Sequence, residues 1–338
     1  MTVFPPGVDL SFKQLVNALL YKCKYAKHQL SDLTEPELDG LDRKLHIAAS
    51  AIRGFRNATQ KINQLPPELI FNILGYAQQS YSYLPLASFL PDLNAYEDHG
   101  REWYSLLHVC RLWRGIIARS PELWSTVDNT IIDEEEDKNN VAHDRYLVRS
   151  RATPLTVYVG VRDKKIRKKS LETLLKHVAR FKEFHLVADL WEEDPFHTPI
   201  YSLLSSAAPN LLSLTLRTDG KDVLGGVLPS VFDGDMPQLR EVTLEHFTSW
   251  PPSYFHNLTA LSLSDQAFNR PTTLAFLDFL ENSSHTLEIL ALVRAGPTLS
   301  WNTDVLPASA DRLVRFPKMR QKQIFSSGVQ YSRTLIQT

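Results

Sequence analysis

The sequence predicts an α+β chain: a helical N-terminal region, then an irregular α/β repeat array. Three observations carry this. Between residues 34 and 124 apolar side chains recur in steps of three and four, the period of one helix face. From residue 181 a different spacing takes over, an apolar residue followed three and five positions later by two more, and it recurs along the chain. Between the two lies the acidic run Asp133-Glu134-Glu135-Glu136-Asp137, the mark of a solvated linker.

Bulk composition bounds the function. At 338 residues with 43% apolar content, the chain is long enough for about two domains and too apolar to be disordered. A formal net charge of -1 argues against a general nucleic-acid or membrane-surface binder, since both need excess positive charge. Cys23 and Cys110, the two cysteines, have no metal-ligand spacing around them and cannot staple a chain this size. The N-terminus shows no basic start followed by an apolar run, and Leu15 to Tyr21 is too short to span a bilayer. The triplets at Asn57, Asn257 and Asn282 are then idle as glycosylation sites. A reducing compartment, cytoplasmic or nuclear, is the expected location.

Residues 1–61 read as a helical segment. Leu38, Leu41, Leu45, Ala48, Ile52, Phe55 and Ile62 form one stripe, broken at Thr59. Thr34 with Glu37 three residues on matches a capping box, and Pro36 falls in the first turn, where a missing N–H costs little. The stripe suits either a coiled-coil partner or a helix packed beside the next element; fewer than four clean heptads favours the packed helix.

Residues 62–128 read as a small helical domain. Leu65-Pro66-Pro67 stops the preceding helix. A new helix is predicted from Pro67 to Ala77, with Glu68 in its first turn and Leu69, Ile70, Ile73, Leu74 and Ala77 as its apolar face. Residues 78–102 carry two prolines and no clean period, and read as an inserted loop. A further helix is predicted from Trp103 to Ala118, with Leu106, Val109, Cys110, Trp113, Ile116 and Ile117 on one side, and Ser120-Pro121-Glu122-Leu123-Trp124 as a fresh cap and short final helix.

Residues 129–150 read as the acidic linker and 151–315 as the repeat domain. Leu155 to Val159 alternates like a half-buried strand. The basic cluster Arg162 to Lys169 reads as a charged surface at a helix start. The repeat runs Phe181-x-x-Phe184-x-Leu186, Leu211-x-x-Leu214-x-Leu216, Leu239-x-x-Val242-x-Leu244, Leu258-x-x-Leu261-x-Leu263 and Leu287-x-x-Leu290-x-Leu292. Copies start 30, 28, 19 and 29 residues apart. Two apolar residues separated by one share a strand face, and one such unit cannot close a core, so units stack. The pattern resembles irregular leucine-rich repeats. In the regular pattern Asn stands three residues after the last leucine; here Asp189, Asp219, Phe247, Gln266 and Ala295 do, so the resemblance implies an imperfect ladder. Returning helices are predicted over 200–207 and 273–280. Residues 316–338 read as an irregular tail, because Lys322 falls where a further copy needs an apolar residue.

The ordered set of a Leu-Pro entry, a short apolar helix, Val109-Cys110-Arg111-Leu112-Trp113 and the exit Pro121-Glu122-Leu123-Trp124 resembles the F-box. The resemblance implies a substrate receptor of a cullin ubiquitin ligase, which docks on a Skp-type adaptor and presents a protein substrate held by the repeats. It implies adaptor binding through Leu65, Pro66, Glu68, Leu69, Ile73, Leu74, Val109, Cys110, Trp113, Ile117, Leu123 and Trp124. F-boxes typically join these helices with fewer residues than 78–102. Trp113 and Trp124 are either core pillars or partner hot spots, each worth about 4–6 kcal/mol of burial as an upper bound.

No enzyme, cofactor or metal is expected. No Gly-x-Ser-x-Gly elbow, His-Glu-x-x-His pair or phosphate-binding glycine loop occurs, and the eleven histidines are scattered. A hydrolase built from distant residues is the weaker rival, and a scaffold with a degenerate F-box the nearer one.

Overall fold

The structure, a computed structural model, describes residues 11–25, 28–81, 99–127, 141–161, 168–188, 200–218, 227–228, 230–251, 254–266, 270–297, 314–325 and 336–337. The chain divides into two units, Met1–Pro66 and Pro67–Thr338.

In the first unit, α1 spans Phe12–Tyr25 and α2 spans Glu35–Ala58. α2 starts as the sequence predicts. Thr34 is the extended N-cap, and the Glu37 carboxylate accepts from its backbone N–H at 2.9 Å and its hydroxyl at 2.8 Å. Those bonds, the backbone one first, favour the ionised carboxylate and lower its pKa. Neither helix has a buried residue.

The second unit opens with α3, Pro67–Tyr81, one turn longer than the sequence predicts. The extra turn is held by the buried Gln78, whose Nε2 donates to the Leu123 carbonyl at 2.7 Å. The single helix predicted over Trp103–Ala118 is two elements. A 3-10 stretch, His99–His108, leads to Cys110, which is fully extended, and α4 runs Arg111–Arg119. Arg114 Nε donates to the Leu107 carbonyl at 2.9 Å, tying α4 back across the break. The remainder of the predicted insertion, 82–98, lies outside the described residues. A 3-10 turn at Pro121–Trp124 then leads into β1, Thr126–Val127.

The predicted linker needs correction at its end. Residues 141–150 form α5, Val141–Ser150, with Tyr146 and Leu147 buried. The acidic run itself lies outside the described residues. Aromatic packing makes the difference: Tyr146 meets Trp124 edge-on at 5.1 Å and accepts from Trp103 Nε1 at 3.2 Å, while the Arg149 guanidinium lies 4.3 Å over the Trp124 ring.

β2 (Leu155–Val161), β3 (Phe181–Ala188), β4 (Ser213–Thr218), β5 (Glu241–Glu245), β6 (Ala260–Ser264) and β7 (Ile289–Val293) follow, with α6 (Lys168–Leu175) and α7 (Thr273–Glu281) among the connections. Val314–Arg315 is β8, Gln321–Phe325 β9 and Ile336–Gln337 β10. Among the described residues, β1 to β7 and then β9 make one parallel sheet in chain order, while β8 pairs with β10. The apolar triplets set the register. Phe184, Leu214, Val242, Leu261 and Leu290 stand side by side across the strands, as do Leu186, Leu216, Leu244, Leu263 and Leu292. Both rows are buried, with Phe181, Leu211, Leu239, Leu258 and Leu287 beneath them. α7 returns where the sequence predicts, capped by Thr272, and packs Phe276, Leu277 and Leu280 inward. Of the helix predicted over 200–207, Ile200–Leu203 forms.

The tail is corrected too. β9 joins β7 in parallel, with Arg320 and Gln321 N–H groups bonding the Glu288 carbonyl at 2.8 and 3.0 Å. Backbone pairing tolerates the misplaced cation. Lys322 pairs with Leu290 in the leucine row, where burial lowers its pKa. The turns after β5, β6 and β7 each place a non-glycine residue at positive φ: His246, Asp265 and Arg294. Gln266 fills the position of the missing Asn: its Nε2 donates to the Phe247 carbonyl at 2.6 Å and its Oε1 accepts from Gly296 N–H at 2.8 Å, joining neighbouring turns.

Candidate partner-binding site

α3 carries apolar residues on two faces. Ile70 and Leu74, four apart, are buried with Gln78 four residues on. Leu69, Ile73 and Tyr76 follow the steps of four and three that define a second face, and they are 48%, 38% and 74% exposed. A helix lying on a self-contained core needs one apolar stripe; this one has two.

α4, which packs on α3, divides the same way. Ile117 is fully buried, and Trp113 and Ile116 pack against the core half-buried. Val109, just before the helix, and Leu112 within it remain 51% and 40% exposed. The break at Cys110 separates these roles. A continuous helix would carry Val109 and Cys110 on the face of Trp113, whereas the extended Cys110 half-buries its own side chain and leaves Val109 in solvent.

The core beneath is aromatic. Trp103 and Trp124 meet edge-on at 5.1 Å, and Trp124 Nε1 donates to the Ile117 carbonyl at 2.8 Å, so a buried indole N–H is satisfied. Leu123 is buried alongside. Four of the twelve sequence-derived site residues, Leu74, Ile117, Leu123 and Trp124, are therefore internal and support the surface from below. Leu65 and Pro66, both exposed, close the first unit, while Glu68, also exposed, sits in the first turn of α3. Tyr76 and Leu112 are exposed apolar residues that the sequence reading left out. Their positions, three past Ile73 and three past Val109, were available signals.

The family comparison adds a decisive observation: residues 62–130 match the F-box-like family model. The chain carries an F-box-like domain. F-box-like domains generally bind Skp-type adaptors. The F-box-like match begins in the 3-10 turn Lys61–Gln64, before α3, and runs past β1. No curated protein and no solved structure matches the chain. Among the described residues no group of His, Cys, Asp or Glu could hold a metal ion, and no helix is long and apolar enough to cross a membrane.

Beyond the F-box-like domain, the sheet presents a polar face. On it, Tyr158 stacks on His185 at 4.6 Å, and His185 Nδ1 lies 2.9 Å from Thr215 Oγ1. Glu183 lies 3.8 Å from His185 Nε2 and 3.0 Å from Lys182 Nζ; His185 first, then Lys182, holds its carboxyl down to about 2 against the opposing cost of burial. One row further along, Arg217 Nε pairs with Glu245 Oε2 at 2.5 Å, both nearly buried.

Proposed function

We propose that the protein is the substrate-receptor subunit of a cullin ubiquitin ligase, holding a Skp-type adaptor through the F-box-like domain and a protein substrate through the sheet region, read as an irregular leucine-rich-repeat solenoid. The observation that carries the reading is the second apolar face of α3. Leu69, Ile73 and Tyr76 stay in water although the domain has a complete core beneath them. Large apolar side chains clustered at helical spacing and left uncovered favour a protein partner. Leu65 and Pro66 precede α3 in sequence and Glu68 stands in its first turn, while Val109, just before α4, and Leu112 on it are further exposed apolar residues.

The mechanism is proximity. A receptor that holds substrate near a ubiquitin-charged enzyme raises its local concentration and performs no bond chemistry itself. The reading places the protein in the cytoplasm or nucleus and assigns it no catalytic residue, cofactor or metal.

The test is adaptor pull-down by the full chain carrying Leu65→Ala with Pro66→Ala. Reduced capture with an unchanged melting curve is expected. Unchanged capture removes the Leu-Pro entry from the interface, and a wild-type chain that captures no adaptor leaves the scaffold reading in its place.

A further inference from the structure

The first unit carries an exposed apolar stripe on α2. Along α2, Leu38, Leu41, Leu45, Ile52 and Phe55 are between 40% and 77% exposed. With Ala48 they occupy alternate spacings of three and four over the whole helix, the a and d positions of successive heptads: Leu38, Leu45 and Ile52 at a, Leu41, Ala48 and Phe55 at d. The stripe stops with the helix, since Thr59 is its C-cap and Gln60 is extended. Two glycines, Gly40 and Gly54, lie on the opposite side with nothing within 4 Å of where a side chain would begin. Interior glycines weaken an isolated helix, so packing along the stripe must supply what propensity does not.

We infer that the stripe is covered by α2 of a second copy of this chain, the two helices running antiparallel. Side-chain volume and charge both select that arrangement. In a parallel pair each seam residue, at a or d, faces its own copy, which sets Ala48 on Ala48 in one layer and Phe55 on Phe55 in the next: a void beside an overfilled layer. In an antiparallel pair a positions meet d positions. Ala48 then faces Ile52 and Phe55 faces Leu45, all within the helix. Large meets small through the centre, with Ala49 and Ala51 flanking the two-fold axis and permitting close approach.

Charge points the same way. The e positions are Asp42, Ala49 and Arg56, and the g positions within the helix are Glu37, Lys44, Ala51 and Ala58. A parallel pair sets Glu37 against Asp42, like against like. The antiparallel register sets Asp42 of each copy against Arg56 of the other, twice by symmetry. Asp42 is free to turn to it: its contact on its own helix is an exposed pair with His46 at 3.3 Å. This inference stands independently of adaptor binding.

The test is the mass of the full-length chain in solution across a dilution series, by sedimentation or light scattering. A dimer is expected. Leu45→Glu with Ile52→Glu should raise its dissociation constant by roughly 100-fold or more, since four charges enter a buried seam. Asp42→Arg alone and Arg56→Asp alone should each weaken it by roughly 5- to 30-fold, and the two together should restore it. In a chain lacking Cys23 and Cys110, Ala49→Cys should form an intermolecular disulfide, because residue 49 faces its own copy across the axis in the antiparallel register alone. A monomer at all concentrations overturns the inference, as does a dimer indifferent to the double glutamate variant. Failure of the charge swap to restore, with no disulfide through residue 49, overturns the antiparallel register.

Discussion

The sheet and the helical segments handle their apolar residues in opposite ways. Across β3 to β7, every residue of the five apolar triplets is buried, each row covered by its neighbours and by returning segments such as α7. In the helical segments, Leu69, Ile73 and Tyr76 on α3 and the whole stripe of α2 face water. The sheet closes on itself by repetition; each strand is the partner of the next. α3 cannot do the same, because its core accepts one face, and α2 buries no residue at all. What remains on the other face of α3 stays exposed, and it is the surface the proposal gives to a partner.

That contrast can be broken at its strongest point first. Trp124→Ala removes the central indole of the aromatic core and should cost about 3–5 kcal/mol, read as a shift in the denaturation midpoint. An unshifted midpoint would mean the helical core is not the support it is taken to be. Leu261→Ala, in the middle of a buried leucine row, should cost about 2–5 kcal/mol. A melting curve matching the unmodified chain would show the repeat register to be misassigned.

A smaller effect is expected from Glu183 on the polar face. Its carboxyl is held down to about 2 when folded, below the ordinary value of 4.5. The unfolded chain therefore takes up that proton more readily, and acid favours unfolding. The contribution is full above about pH 4.5 and is lost as pH falls toward 2. Glu183→Gln should flatten that part of the stability–pH curve and leave the curve above pH 6 nearly parallel to that of the unmodified chain. A curve that keeps its acid slope would remove Glu183 from the account. Smallest of all, Thr34→Ala should lower the helicity of α2 modestly, at about 0.5–2 kcal/mol, measured by circular dichroism. No change would show that the Glu37 bond to the Thr34 backbone carries the cap alone.

Periodicity made the larger elements legible. Five apolar triplets gave β3 to β7 in register, Thr34 and Pro67 gave the starts of α2 and α3, and the ordered Leu-Pro, Cys-x-x-Trp and Pro-x-Leu-Trp features gave the region that matches the F-box-like model. Three features escaped for physical reasons. α5 holds its place through contacts of Tyr146 and Arg149 with tryptophans far away in sequence, which no local period encodes. β9 pairs through backbone groups that do not register the identity of Lys322. The extended Cys110 interrupts a pattern that reads as one helix, because the apolar spacing continues across the break. The candidate site was half legible: Leu69, Ile73 and Val109 lie on the exposed faces, whereas Leu74, Ile117, Leu123 and Trp124 share their spacing but point into the core. Helical period alone does not say which of two apolar faces is left uncovered.

The central claim is that the outer face of α3 exists for a partner and not for the fold. The most direct measurement compares the affinity of the full chain for a Skp-type adaptor with that of Leu69→Ser with Ile73→Ser, alongside both melting temperatures. Adaptor affinity should fall at least 100-fold while the melting temperature stays the same or rises, since exposed apolar groups are being replaced by polar ones. Intact affinity, or a melting temperature that drops as it would for a core substitution, would contradict it.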